Sequence, residues 1–134
     1  MPVAHIILAD DDPDDCLIFS QMVKEVNDKV EITCLPDCES LVQYLNTYSL
    51  PDLIFLDLNM PLLTGQACLK MIKQNPQWKD LPVIVYSTAS RGNIIQECYN
   101  LGASLYIVKP DSTVRLKEIL SWLIGKFVGE DNKQ

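Results

Sequence analysis

The stretch Leu53-Ile54-Phe55-Leu56-Asp57-Leu58-Asn59-Met60-Pro61 decides the fold of this chain. Its first four residues form a continuous apolar run, which is typical of a parallel strand covered by helices on both faces. Asp57 follows this strand directly, and Asn59 lies two residues further on in a predicted loop. Open α/β sheets bind their ligands at the carboxyl ends of the strands. The stretch therefore predicts a buried parallel sheet and a carboxylate at its functional edge.

Apolar runs and helix-like segments alternate five times along the sequence. The predicted strands are Ala4–Ala9, Val30–Leu35, Leu53–Leu56, Val83–Tyr86 and Leu105–Val108. The predicted helices lie near Asp14–Val26, Glu39–Thr47, Gly65–Gln74, Asn93–Leu101 and Thr113–Phe127. Strands that are regularly separated by helices indicate βαβ units. We therefore predict an α/β fold, a three-layer α/β/α sandwich around a five-stranded parallel sheet.

Composition and charge narrow the classes of function. The 134 residues fit one domain, predicted to span residues 1–128, followed by a polar tail over residues 129–134 that frays. The net charge of −7 argues against nucleic-acid binding, for which a basic patch is expected. No apolar run approaches the roughly 20 residues of a membrane span, and no signal peptide is recognisable. The sequence thus predicts a cytoplasmic protein without membrane or nucleic-acid partners.

Cysteine usage gives no sign of a metal or disulfide framework. The five cysteines lie at positions 16, 34, 38, 68 and 98, and none forms a Cys-x-x-Cys pair. The only histidine, His5, lies inside an apolar run and is interpreted as a strand-edge residue rather than a metal ligand or phosphate carrier. A zinc site or a set of disulfides is therefore not expected. Buried reduced thiols are the prediction.

Polar residues follow four of the five predicted strands. They are Asp10 and Asp11 after the first strand, Asp57 after the third, Ser87 after the fourth and Lys109 after the fifth. In a right-handed doubly wound sheet these ends share one edge, so the side chains should converge. Clustered carboxylates repel one another, and Mg²⁺ prefers oxygen ligands such as these and the backbone carbonyl of Asn59. The set therefore predicts phosphoryl chemistry on Asp57.

Four motifs occur in order along the chain. They are Leu8-Ala9-Asp10-Asp11-Asp12, Asp57-Leu58-Asn59-Met60-Pro61 with Thr64-Gly65, Leu81-Pro82-Val83-Ile84 leading to Ser87, and Gly102-Ala103-Ser104-Leu105-Tyr106-Ile107-Val108-Lys109-Pro110. Together they resemble the receiver domain of response regulators in two-component signalling, close to the single-domain chemotaxis type. Each motif alone is weak, but all four at the expected strand ends are specific. The resemblance implies a flavodoxin-like sheet with strand order 2-1-3-4-5.

The resemblance implies a role for each matched residue. Asp57 would be the phosphoacceptor, supplied by a histidine kinase or phosphotransfer protein. Asp10, Asp11, Asp57 and Asn59 would bind Mg²⁺. Ser87 would be the catalytic and switch hydroxyl, Lys109 would pair with the phosphate, and Tyr106 would swing inward. The implied function is a switch domain rather than a turnover enzyme, with a phosphorylation-gated protein contact or onward phosphorelay as its output.

The resemblance also implies a partner surface and two local details. Helical spacing turns Tyr99 outward and leaves Trp122 off the apolar stripe of the last helix. With Tyr106 they would lie on the face of helix four, strand five and helix five, which the family uses for targets and dimers. Lys109-Pro110 would be a cis peptide. Asp12 is expected to face solvent, and a histidine kinase is the expected donor, with a phytochrome-like one as an option.

Simpler interpretations of the same residues stay open at this stage. The acidic run Asp10–Asp15 is also explained by helix capping, as are Ser87 and Thr88 before the fourth helix. Lys109 is also explained as a solvated lysine at a strand end. Tyr106 suits a core position as well as a switch role, with about equal weight.

Other functions compete with the receiver interpretation. A metal-dependent phosphohydrolase would also use an Asp nucleophile, and Asp10-Asp11-Asp12 contains the Asp-x-Asp pattern. Asn59, however, occupies the position where such enzymes use a general acid, which an amide cannot be. A flavin or nucleotide module of the same topology would need a glycine-rich first turn, which the chain lacks. A receiver-shaped domain that is never phosphorylated would not need the complete set of site residues.

Overall fold

Five strands alternate with five α-helices in the computed structural model, which describes residues 4–128. The strands are β1 (Ala4–Ala9), β2 (Val30–Leu35), β3 (Leu53–Leu56), β4 (Val83–Ser87) and β5 (Leu105–Val108). The helices are α1 (Pro13–Val26), α2 (Cys38–Thr47), α3 (Gly65–Gln74), α4 (Gly92–Asn100) and α5 (Thr113–Leu123), which a π-helical turn follows over Ile124–Val128. The predicted alternation is confirmed. The predicted tail over residues 129–134 lies outside the described residues.

The strands form one parallel sheet in the order β2-β1-β3-β4-β5, as the resemblance implied. The register keeps the carboxyl end of β1 level with that of β3, and the end of β4 level with that of β5, because Ala9 pairs with Leu56 and Ser87 with Val108. Leu56 pairs with Val85, so β4 extends beyond the end of β3. The ladder continues one residue further, where the Asp57 amide donates to the Ala9 carbonyl and the Lys109 amide donates to the Ser87 carbonyl, both at 2.9 Å. Backbone hydrogen bonds to the sheet therefore fix the positions of these two site residues.

The sheet separates two apolar cores. On one face, Phe19 of α1 packs against Phe55 and Tyr86, with ring centroids 4.9 and 5.5 Å apart, and α5 completes this layer. On the other face, α2, α3 and α4 contribute buried side chains that include Leu41, Leu69 and Cys98. Successive strand residues point to opposite faces, so both faces of each central strand are covered. This explains why the strands read as continuous apolar runs.

Capping side chains decide where several helices begin. Asp12 accepts a hydrogen bond from the Asp14 amide, and Asp37 accepts one from the Ser40 amide. Such caps satisfy amides that have no partner inside the helix. Consequently α1 and α2 each begin one residue earlier than predicted. Within residues 4–128, no helix combines the length and the apolar character that crossing a membrane requires.

The prediction of reduced thiols is wrong for four of the five cysteines. Cys16 of α1 is bonded to Cys34 of β2, and Cys38 of α2 is bonded to Cys68 of α3. The partners lie 18 and 30 residues apart in the chain, yet their Cα atoms are only 6.3 and 5.8 Å apart, a separation that disulfides span. Packing of α1 on β2 and of α2 beside α3 brings them together, which sequence spacing does not reveal. Cys98 is a buried free thiol, as predicted.

Candidate functional site

Three carboxylates meet at the carboxyl edge of the sheet. Asp10 follows β1 and Asp57 follows β3, and each has only 4% of its surface exposed, whereas Asp11 is exposed. One oxygen from each of the three lies within 4.8 Å of the others. The backbone amide of Asn59 donates a long hydrogen bond of 3.3 Å to Asp57 Oδ1. The oxygens form a donor set that suits a hard divalent cation.

The ammonium group of Lys109 faces three carboxylates. Its Nζ lies 2.8 Å from Asp10 Oδ2, 2.8 Å from Asp15 Oδ2 and 3.3 Å from Asp57 Oδ2. The lysine side chain is 12% exposed, and Nζ lies 5.4 Å from the ring centroid of Tyr86. An ammonium has three donors, and here each has a carboxylate acceptor. Lys109 is therefore not a solvated strand-end lysine.

Burial and charge act in opposite directions on these groups. Burial raises the pKa of Asp10, and the hydrogen bond from Lys109 offsets part of this rise. Burial by itself would lower the pKa of Lys109, but its hydrogen bonds to Asp10 and Asp15 leave it above its usual value. Burial raises the pKa of Tyr86 to about 12. One charged lysine thus faces several carboxyl groups beside a neutral phenol.

The expected cis bond between Lys109 and Pro110 is not present. No cis peptide occurs within residues 4–128, so this bond is trans. The two isomers of an X-Pro bond differ by only about 0.5–1 kcal/mol, so the sequence alone does not fix the choice. In this structure the Lys109 amide is bonded to the Ser87 carbonyl and the ammonium to three carboxylates. These contacts aim the lysine at the site.

Ser87 ends β4 and is completely buried, whereas its neighbour Thr88 is exposed. The Ser87 Oγ accepts a hydrogen bond of 3.2 Å from the Ala89 amide. Neither hydroxyl caps the next helix, since α4 begins after Arg91 without a side-chain cap. Capping therefore does not explain Ser87, and Ser87 is the hydroxyl of the two that lies inside the fold.

Tyr106 of β5 lies inward, with 9% of its surface exposed. Its hydroxyl donates to the Ala89 carbonyl at 2.7 Å, and its amide donates to the Tyr99 hydroxyl at 3.0 Å. Ser87 and Tyr106 therefore hold the same residue, one through its amide and the other through its carbonyl. The loop after β4 physically links the two residues that were predicted to switch together.

Asp15 is a site residue that sequence reasoning missed. It was interpreted as one member of the acidic run, yet its carboxylate forms one of the two shortest contacts of Lys109. Asp12 is exposed, as expected, and caps α1, which puts Asp15 in the first helical turn. Helical side chains lean toward the N-terminus of their helix, and here that direction is the sheet edge. Capping thus accounts for Asp12 but not for Asp10 or Asp15.

Replacing Asp15 by Asn should speed phosphoryl uptake from a small anionic donor such as acetyl phosphate. The change removes a negative charge beside Lys109. On the predicted phosphoryl chemistry it would also free one donor of Lys109 for a phosphoryl oxygen. We expect the initial rate to rise about threefold to tenfold at low ionic strength and the gain to shrink with added salt. The rate is read by intact mass against time.

Asp14→Asn is the matched control for this change, because Asp14 is exposed and adjacent but does not contact Lys109. It should alter the rate far less than Asp15→Asn. A slower rate in Asp15→Asn would contradict the argument and would mean that Asp15 holds Lys109 in its productive position.

Known proteins share both the sequence pattern and the fold. A family model described as the response regulator receiver domain matches residues 6–121. Response regulator Rcp1 of Synechocystis sp. is 30% identical, over 92% of this chain and 86% of its own length. The crystal structure of the phosphorylated cyanobacterial phytochrome response regulator RcpA is 28% identical, with a TM-score of 0.86 over 93% of this chain and 94% of that one. The Mn²⁺-bound form of Rcp1 is 27% identical, with a TM-score of 0.79 and the same coverage of both chains.

Proposed function

Because the chain belongs to the response regulator receiver domain family, we propose that Asp57 is the residue on which it accepts a phosphoryl group. The observation that carries this proposal is the buried Asp57 carboxylate, which lies 3.3 Å from the Lys109 ammonium and has an oxygen within 4.8 Å of oxygens of Asp10 and Asp11. Asp57 also lies 3.3 Å from the ammonium, whereas Asp10 lies at 2.8 Å, so Asp57 is the less tightly engaged carboxylate. The comparisons give no support to the phosphohydrolase alternative.

In the proposed reaction, an oxygen of Asp57 attacks the phosphorus of a phosphohistidine on a kinase or phosphotransfer protein. The O–P bond forms as the P–N bond breaks, and the departing histidine nitrogen takes up a proton from water. Lys109 pairs with one phosphoryl oxygen as a point charge, and the Ser87 hydroxyl donates to another. Ser87 ends the strand next to β3, and Lys109 follows the strand beyond it, so both groups share the sheet edge with Asp57.

We propose Mg²⁺ as the metal and Asp10, Asp11, Asp57 and the Asn59 backbone carbonyl as its ligands. Three carboxylate oxygens within 4.8 Å of one another fit a small divalent cation that keeps several waters. The related response regulator Rcp1 has a Mn²⁺-bound form, which supports the proposal of a divalent cation in this chain. When bound, such a cation neutralises negative charge on the phosphoryl oxygens during transfer. The exposed carboxylate of Asp11 leaves the site open to entry.

The switch is proposed to act through Ala89. A phosphoryl group that attracts the Ser87 hydroxyl would withdraw it from the Ala89 amide, to which it is now bonded. Because Tyr106 holds the carbonyl of the same residue, the change reaches β5 through one short loop. The phosphoryl group shifts the balance between the two loop arrangements only as far as its contacts differ between them.

The output surface is proposed to be the face formed by α4, β5 and α5. Tyr99 is 40% exposed and Trp122 is 57% exposed, and Tyr99 bonds directly to the Tyr106 amide. Arg115 and Ile119 border a depression beside Tyr106, and Trp122 follows them at helical spacing on the same side of α5. This face would bind a downstream protein or a second copy of the chain in a phosphorylation-dependent manner.

The phosphodonor, the cellular location and the functional class of the protein are also proposals. The family implies a histidine kinase as phosphodonor, and the similarity to a phytochrome response regulator favours a phytochrome-like kinase. We propose that the protein is cytoplasmic and that it acts as a switch rather than as a turnover enzyme. Asn59 supports the latter point, because it supplies no general acid next to Asp57.

Incubation with acetyl phosphate tests the proposed chemistry. With Mg²⁺, intact mass should rise by a single phosphoryl group, and hydroxylamine should remove it, since the product is an acyl phosphate. With EDTA in place of Mg²⁺ the gain should vanish. Absence of the gain, or continuous turnover of a small phosphomonoester such as p-nitrophenyl phosphate, would contradict the switch proposal.

The same preparation tests the output face. With beryllofluoride and Mg²⁺ as a phosphate mimic, Trp122 emission and the amide spectra of α4 and β5 should change. A Trp122→Phe variant identifies the tryptophan responsible, because the only other one, Trp78, is buried in the core. Unchanged spectra across this face would refute its role in output.

A further inference from the structure

An apolar groove lies between α2 and α3, beneath the loop that joins β3 to α3. It encloses about 270 Å³, and its walls include Val42 of α2, Met71 of α3, and Leu62 and Leu63 of the loop. Met71 is 44% exposed and Leu62 is 92% exposed. The groove is on the opposite side of the sheet from α1 and α5, and the mechanism proposed above does not use it.

Leu62 is held in a backbone conformation that leucine avoids. Its φ is +70°, in the left-handed region where Cβ crowds the following carbonyl. Glycine or asparagine adopts this conformation with less strain. A large apolar side chain that is almost fully exposed, on a strained backbone, does not stabilise the fold. Backbone outliers of this kind point to a functional constraint on the residue.

The charges that line the groove are both negative. They belong to Asp37, which caps α2, and Glu39 in the first turn of the same helix. The Ser40 amide donates to Asp37 at 2.7 Å and lowers the pKa of that carboxyl, so Asp37 stays ionised at neutral pH. Cys38 lies between them and is bonded to Cys68 of α3, so a covalent bridge joins the two helices that form the groove. The groove is therefore apolar, lies between two disulfide-linked helices and has an acidic rim formed by Asp37 and Glu39.

We propose that this groove binds a segment of a partner protein that carries one or two apolar side chains flanked by lysine or arginine. Its volume lies below the range usual for cofactor sites and suits single side chains. Amphipathic segments insert apolar anchors into such grooves, and the acidic rim selects basic flanks. A second copy of this chain is disfavoured, because a two-fold contact would bring the same carboxylates together in a chain of net charge −7.

The test uses a synthetic helical peptide of leucine and lysine, with its leucines on one face, and a matched peptide in which glutamate replaces every lysine. Methyl NMR of Val42, Leu62, Leu63 and Met71 reports binding. Mg²⁺ is present so that the lysines of the peptide do not bind to the carboxylates around Asp57. The lysine peptide should shift these signals, and the glutamate peptide should not.

Two variants and a control locate the contact. Leu62→Asn introduces a residue that tolerates the left-handed backbone but removes the apolar side chain. It should weaken binding of the lysine peptide at least about tenfold. Glu39→Gln should weaken binding about threefold, an effect that added salt reduces. Leu17→Gln alters a leucine of α1 that is 58% exposed and should leave the affinity unchanged.

Several results would overturn the proposal. They are an absence of shifts in the groove, equal binding of the two peptides, and an equal loss in Leu17→Gln and Leu62→Asn. Self-association in sedimentation that Leu62→Asn abolishes would also overturn it, because a second copy would then occupy the groove. Since the assay contains no phosphodonor, its failure is distinct from a failure of the proposed phosphoryl chemistry.

Discussion

Asp57→Asn is expected to abolish phosphoryl uptake from acetyl phosphate completely. The amide lacks the anionic oxygen that attacks phosphorus, and it removes one of the three carboxylates that face one another at the sheet edge. The fold should persist, because the Asp57 backbone amide still donates to Ala9. The loss of the ion pair with Lys109 and the relief of repulsion from Asp10 oppose each other. The free energy of unfolding should therefore stay within about 1 kcal/mol of the wild type.

The measurement is intact mass after incubation with acetyl phosphate and Mg²⁺, paired with thermal unfolding. Asp28→Asn is the matched control, because Asp28 is an exposed carboxylate that lies outside the cluster of Asp10, Asp11 and Asp57. The control should gain one phosphoryl group as the wild type does. An equal mass gain in Asp57→Asn would show that another residue is the acceptor, and Asp10 would be the first candidate.

The sheet-edge residues could be predicted because they depend on topology alone. A residue that follows a buried parallel strand must lie at the carboxyl edge, and the register brings Asp10 and Asp57 to one level. Lys109 lies further along β5, but its Nζ is still within 3.3 Å of both carboxylates. The position of the Asp15 side chain depends instead on the exact start of α1, which the capping residue Asp12 sets. Exact helix starts are the part of a fold that a sequence pattern defines least well.

The other features that the sequence did not predict depend on properties that local sequence does not encode. The two disulfides depend on how α1 packs on β2 and how α2 lies beside α3. The isomer at Lys109-Pro110 depends on a small energy difference that the surroundings decide. The left-handed backbone at Leu62 runs against the preference of leucine itself, so no propensity rule would have proposed it. For the same reason, the sequence did not predict the groove that Leu62 borders.

Gly65→Ala is expected to damage both the fold and the site, although alanine is the better helix former. Gly65 is the first residue of α3, and its amide donates to the Leu58 carbonyl at 3.0 Å. A Cβ at this position would lie 2.6 Å from Leu58 Cα and closer still to the Asp57 carbonyl oxygen. Both neighbours are backbone atoms at the end of β3, so they cannot turn aside as a flexible side chain would.

The clash has to be relieved by moving α3 away from the strand end that presents Asp57. Overpacking against backbone should lower the free energy of unfolding by about 2–3 kcal/mol, or about 10 °C in Tm. Phosphoryl uptake should slow because Asp57 shifts relative to Lys109, and positioning errors at reacting atoms are costly. Thermal unfolding and the mass assay measure the two effects on the same sample.

Gly92→Ala provides a matched control, since Gly92 is likewise the first residue of a helix but a Cβ added there would meet no atom within 4 Å. Alanine there should be neutral or should stabilise α4 by up to about 1 kcal/mol. If Gly65→Ala behaved like Gly92→Ala, the contact between α3 and the end of β3 would be looser than the structure has it. The position of Asp57 would then depend on the sheet ladder alone, and the first turn of α3 would play no part in holding it.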